Sequence, residues 1–216
     1  MKTRTILPAL ALGLSLLGGC AVTHEQAREQ LAAVGSCCAG YADFPYRPLA
    51  AGETAILEIG SKSPAFAFPA GKSFFEAFRL PDRRGAAWVR VRSYAQGDRI
   101  DRAHVFFPNV LMLDDRHRVV AEIVPRMAAI KGSRADAVKE NDWGMPARLQ
   151  GEVALAPNYR YMVLRTTDAL LAGQSPYVER IGGLGALGAA AGMVPQGAFA
   201  MKHSPVGRVA LELVAE

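Results

Sequence analysis

Beyond residue 53 the chain settles into a two-residue rhythm of apolar and polar positions. Residues 54–59 (TAILEI), 87–94 (AWVRVRSY), 148–155 (RLQGEVAL) and 206–215 (VGRVALELVA) alternate in this way, and 159–166 (YRYMVLRT) returns as the partner of 148–155. A period of two puts successive side chains on opposite faces, so each segment predicts a strand with one buried face. In 87–94, Val89 and Val91 define the buried parity, Arg90 and Arg92 the wet one, and Trp88 is expected to join the core from mid-strand. Residues 74–80 predict a further strand, ended by Pro81-Asp82. Residues 104–114 predict another, interrupted at Pro108, which has no N–H to give a ladder. A bulge is expected there, with the Asn109 side-chain amide bonding the freed backbone. Asp114-Asp115 is the turn of a hairpin whose second strand is 118–124, and Ala156-Pro157-Asn158 is the turn of a second hairpin. Eight short strands with almost no long helix predict an all-β fold, an antiparallel β-sandwich of jelly-roll type.

The stretches between strands follow other rules. Residues 24–34 read as a short helix capped by Thr23 and ended by Gly35. Residues 36–52, with Pro45, Pro48 and several glycines, predict an irregular linker, and 61–71, with two prolines, a loop. A polar excursion is expected over 131–145, and a short helical turn capped by Asp168 after the second hairpin. Residues 173–205 are rich in Gly and Ala, too weakly apolar for a firm core, and predict a loop.

The first segment changes the picture from fold to address. Lys2 and Arg4 precede an apolar stretch, 6–17, too short to span a bilayer comfortably, and Leu17-Gly18-Gly19-Cys20 closes it. That tetrad is a bacterial lipoprotein signal. Residues 1–19 are expected to be removed and Cys20 to be acylated as the first mature residue, giving an outer-membrane anchor with the body facing the periplasm. Residues 20–52 then form anchor, helix and linker, and 53–216 the sandwich domain. The formal charge of +5 falls to about +3 without Lys2 and Arg4, with signs interspersed, so there is no nucleic-acid footprint. The remaining cysteines, Cys37 and Cys38, are adjacent. In an oxidising compartment they could form a vicinal disulfide, a bond to another chain, or a buried reduced pair.

No nucleophile–base signature, phosphate loop or metal-ligand spacing is present, so no catalytic residue, metal or cofactor is expected. His24, His104, His117 and His203 stand singly, and Asp114-Asp115 suits a turn better than a cation. Trp143, in the polar excursion, is the candidate ligand contact, because sugars stack on aromatic rings that lie outside a core.

The segment VFFPNVLMLD (105–114) resembles VFAPNVLILD of the maltose operon periplasmic protein (MalM) family. RLQGEVALAP (148–157), YMVLRTTDAL (161–170) and His203-Ser204-Pro205-Val206-Gly207 are similar to further islands of that family in the same order. The resemblance spans about 73–214. It implies a periplasmic, non-enzymatic protein that assists maltodextrin uptake, with an oligosaccharide or an outer-membrane transport protein as partner. An envelope lipoprotein that acts through protein contacts at the Gly/Ala-rich segment, without sugar, is the alternative.

Overall fold

The computed structural model describes residues 22–82, 85–97, 102–131, 147–178 and 198–215. Two five-stranded sheets face each other across one core. Sheet 1 runs in the order β1 (Arg47–Pro48), β5 (Glu76–Arg79), β12 (Tyr161–Arg165), β8 (Asn109–Leu113), β9 (Val119–Ile123). Sheet 2 runs β10 (Ala128–Lys131), β11 (Ala147–Ala154), β6 (Ala87–Tyr94), β15 (Gly207–Ala215), β2 (Thr54–Ile59). The fold is the predicted all-β sandwich. Pairing within both sheets is antiparallel except for β1 with β5.

Between the sheets lie Phe74, Phe78, Val110, Met112, Met162 and Leu164 from one side, and Leu57, Val89, Val91, Val209, Leu211 and Leu213 from the other. Sheet 2 presents its other face to solvent, which is why its strands alternate so cleanly. There Arg90 pairs with Glu152 (3.0 Å) and Glu212 (3.3 Å), and Arg92 with Glu212 (2.8 Å). Trp88 shares this outer parity and is half-buried, so it is not the core residue that its mid-strand position suggested.

The 104–114 strand divides into two. β7 (His104–Phe106) pairs in parallel with β14 (Ala198–Ser204), whose other neighbour is β13 (Gln174–Val178), forming a small third sheet, while β8 belongs to sheet 1. Pro108 therefore marks a passage between sheets and not a bulge within one strand. The expected second hairpin is also absent. β11 pairs with β6 and β10, β12 with β5 and β8, so the Ala156-Pro157-Asn158 turn carries the chain from sheet 2 to sheet 1.

Two stretches expected to be loops contain strands. Residues 61–71 hold β3 (Ala65–Phe68), which pairs with β4 (Gly71–Phe74). Residues 173–205 begin and end with β13 and β14, whose Tyr177 and Met201 are buried in a third apolar cluster. The glycine-rich middle of that segment lies outside the described residues. The 36–52 stretch is irregular yet packed. It holds a 3-10 turn (Tyr41–Asp43) and β1, and buries Phe44 and Leu49.

Helix α1 (His24–Ala33) starts at a capping box between Thr23 and Gln26 and buries Ala27 and Leu31, four residues apart on one face. Lys72 Nζ donates to the carbonyls of Ala32 (3.1 Å) and Val34 at its other end, satisfying acceptors the helix leaves open. The predicted short turn is α2 (Asp168–Leu171), but its cap is Thr167, whose Oγ1 accepts from the Leu170 N–H at 3.2 Å. Asp168 lies directly over Gly71, where a Cβ would come 2.3 Å from its carboxyl carbon and where φ is +113°, so side-chain volume and backbone both require glycine.

Candidate functional site

Sheet 1 is covered on its outer face as well. Ala77, Leu111, Leu113 and Val163 point outward and meet Phe44, Phe68 and Phe75, with Cys38, Tyr41, Tyr46, Phe66 and Tyr161 at the margin. The roof consists of the β3–β4 hairpin and the strap 37–48. Phe44 packs 4.2 Å from Phe75 and 5.1 Å from Phe66 by ring centroids, so the two pieces hold each other through aromatic edges and faces. The sulfurs of Cys37 and Cys38 are joined to each other, and the Cys37 N–H donates to Ala65 O at 2.8 Å, tying the strap to β3.

Where the roof ends, beside the first residue of β12, a cleft of about 390 Å³ opens between Arg79, Leu80, Pro81, Asp82, Asp115, Arg160 and Tyr161. Its frame is backbone. Leu80 N donates to Arg160 O at 2.9 Å, and Arg160 N to Leu113 O at 2.8 Å. Arg160 reaches Asp82 at 3.1 Å across the cleft, at an exposed position where the pair orients side chains more than it stabilises the fold. Tyr161 stacks with His117 (4.2 Å, 24°) and approaches Tyr46 at 4.6 Å.

The Asp114 turn sets two of these groups in place. Its Oδ1 accepts from the N–H groups of Arg116 and Arg118, both at 2.9 Å, and Oδ2 meets the Arg118 guanidinium at 2.6 Å. Hydrogen bonds from Arg118 and Arg116 hold the Asp114 carboxyl below its ordinary range. With the turn closed in this way, His117 takes a left-handed backbone (φ 58°) that carries its ring onto Tyr161, and Asp115 faces the cleft. The Tyr46 hydroxyl donates to Tyr41 O at 2.8 Å, and burial pushes its pKa up, so it remains a donor.

Cys20 and Trp143 lie outside the described residues. Of the histidines, His24 donates from Nε2 to His203 O at 2.8 Å, and His104 is buried. His203 is the most heavily bonded. Nδ1 meets Leu170 O at 2.7 Å, and a carbonyl only accepts, so Nδ1 carries the proton and Nε2 accepts from the Ser175 hydroxyl at 2.8 Å. A serine, a histidine and an orienting carbonyl are the components of a nucleophile relay. Here both side chains are buried and Phe107 is stacked on the imidazole at 4.2 Å, and the bonds tie α2, β13 and β14 together. No group of three or more His, Cys, Asp or Glu side chains that could hold a metal occurs among the described residues.

The cleft was not legible in the sequence because Arg79 to Asp82, Asp115 and Arg160-Tyr161 come from three separate segments. The local signal was an aromatic and an arginine at the mouth of a strand, Tyr159-Arg160-Tyr161, beside two turns that each supply an aspartate. Stacked rings give a C–H face something to lie on, while carboxylates and guanidinium groups accept from and donate to hydroxyls.

A two-sheet sandwich with an aromatic roof defines this chain as an all-β protein with an open cleft of mixed charge at the start of β12. It belongs to the MalM family, since the family described as maltose operon periplasmic protein precursor (MalM) matches residues 70–213. That region contains every cleft residue and begins where β3 turns into β4, so the strap and its Tyr46 precede it. The protein is thus of a periplasmic family of the maltose operon. No curated protein and no solved structure matches the chain. Among the described residues no helix is long and apolar enough to cross a membrane.

Proposed function

We propose that the protein is a non-catalytic lipoprotein that assists maltodextrin uptake, anchored through Cys20 in the outer membrane and facing the periplasm, and that it binds malto-oligosaccharide in the Tyr161 cleft. Membership of the maltose operon family carries this reading. The cleft supports it chemically. Tyr161 and His117 offer stacked rings, and Asp82, Asp115, Arg79 and Arg160 offer the acceptors and donors that sugar hydroxyls require. Trp143 is kept as a further contact.

Calorimetric titration of the full-length lipoprotein in detergent micelles with maltose through maltoheptaose tests the reading. Binding is expected, weakened about tenfold by Tyr161→Ala, the equivalent of one good stacking contact at about 1.4 kcal/mol. Absence of heat with every sugar overturns it. Anchoring is tested separately by labelling with a fatty-acid analogue, which wild type should incorporate and Cys20→Ser should not.

One observation favours the alternative of an envelope protein that works by protein contact. β9 is the outermost strand of sheet 1, and Val119, Val120 and Val124 on or beside it are exposed. Retention of an envelope protein by wild type and not by Val120→Asp, with no sugar bound, would decide for that reading.

A further inference from the structure

At the end of β12 opposite Tyr161, sheet 1 carries a second polar group beneath the same roof. The Arg165 side chain is 1 % exposed, lies with its guanidinium carbon 4.7 Å over the Phe68 ring, and donates from Nη2 to Glu122 Oε1 at 2.8 Å. Asn109 stands directly across the β8–β12 ladder from Arg165, is buried, and donates from Nδ2 to the same carboxylate oxygen at 3.1 Å. The side chain expected to bond its own backbone thus bonds a neighbouring strand instead. Three atoms in this corner have no hydrogen-bond partner, Arg165 Nε and Nη1 and Asn109 Oδ1. A buried donor or acceptor left unpaired loses its hydration with nothing in return, and native folds seldom gather several in one place without something to meet them.

The open atoms define what would meet them. Two are donors and one is an acceptor, so the ligand must both accept and donate. The local charge is already balanced, Arg165 against Glu122, so a free anion would face the Glu122 carboxylate and the Asn109 oxygen, and a cation would face the guanidinium. A hydroxyl does both jobs without charge. Phe68, Phe66 and Tyr41 add aromatic surface next to the group, with Tyr41 and Phe66 only partly covered. Glu122 is 47 % exposed on the outermost strand, so the carboxylate that bridges Arg165 and Asn109 itself reaches solvent at the β9 edge.

We propose that Arg165 and Asn109 form a second recognition site, for adjacent hydroxyls of a neutral saccharide, entered past Glu122 from the β9 side. The site is separate from the Tyr161 cleft and does not depend on it.

Hydrogen–deuterium exchange of the full-length lipoprotein in detergent micelles, with and without maltotriose, maltoheptaose and trehalose, distinguishes the two. Saccharide should slow exchange at least threefold in Asn109–Leu113 and Val119–Ile123, and Asn109→Leu, which keeps the branched outline and removes the amide, should abolish this while the native far-ultraviolet dichroism is retained. Phe66→Ala, at a partly exposed ring, should weaken the protection while exchange in β6 and β15, in the other sheet, stays as in wild type. Protection confined to residues 79–82 and 160–161 would overturn the proposal and leave the cleft standing. Protection by acetate and not by saccharide, protection undiminished in Asn109→Leu, or none from any saccharide, with the three atoms then met by water alone, would each overturn it as well.

Discussion

Gly207 opens β15 against Phe106, and a Cβ there would fall 2.7 Å from the Phe106 Cβ. Gly207→Ala should lower unfolding stability by about 1–3 kcal/mol, seen as a reduced urea midpoint at unchanged slope. Phe106→Ala should not rescue this loss, because alanine keeps the Cβ and backbone atoms that the new methyl group strikes. The His203 relay makes a comparable demand. Ser175→Ala leaves Nε2 buried without a donor and should cost about 1–3 kcal/mol in the same assay. Burial holds the pKa of both His203 and His104 below the ordinary histidine value. The unfolded chain therefore takes up protons on these rings before the folded one does. Their contribution is complete above about pH 6.5 and is lost as pH falls towards the depressed folded values. The thermal midpoint should drop between pH 7 and pH 5, and His104→Gln should flatten that drop.

At the scale of elements, legibility followed solvent. β6, β11 and β15 were readable because sheet 2 has one wet face, and their outward arginines and glutamates mark it. β8 is buried throughout, and β12 at every position after Tyr161, because the roof covers the face that alternation would leave polar. Their apolar runs predicted strands without revealing that both faces are covered. The roof itself has no local signature. In the sequence, 61–71 and 36–52 offer prolines and glycines, and what makes them structural is a set of phenylalanines that meet only after folding. A turn of Ala156-Pro157-Asn158 looks the same whether it joins strands in one sheet or crosses between two, so the false hairpin had no local signature. Helix α1 was legible from its cap, but its seat was not, since Lys72 comes from β4. Lys72→Met should speed amide exchange over His24–Ala33 while leaving exchange in β6 and β15 unchanged.

For the molecule as a whole, both sheets share one core, so neither sheet can persist alone. Met162→Ala, at a position with no exposure, should cost about 2–5 kcal/mol, and the loss should appear equally in near-ultraviolet and far-ultraviolet dichroism as a single transition. Divergence of the two signals would mean that the roof or the third sheet unfolds as a unit of its own. The Thr23 cap has a different consequence. Helix α1 is locked to the body through Lys72 and through His24, and its cap stands three residues after Cys20, a reach of at most about 10 Å. With acyl chains on Cys20, the protein would have no slack. It would ride on the bilayer like a boat at a short mooring, the same flank always to the quay, so that the directions in which its grooves open would be set by the leash as firmly as by the fold.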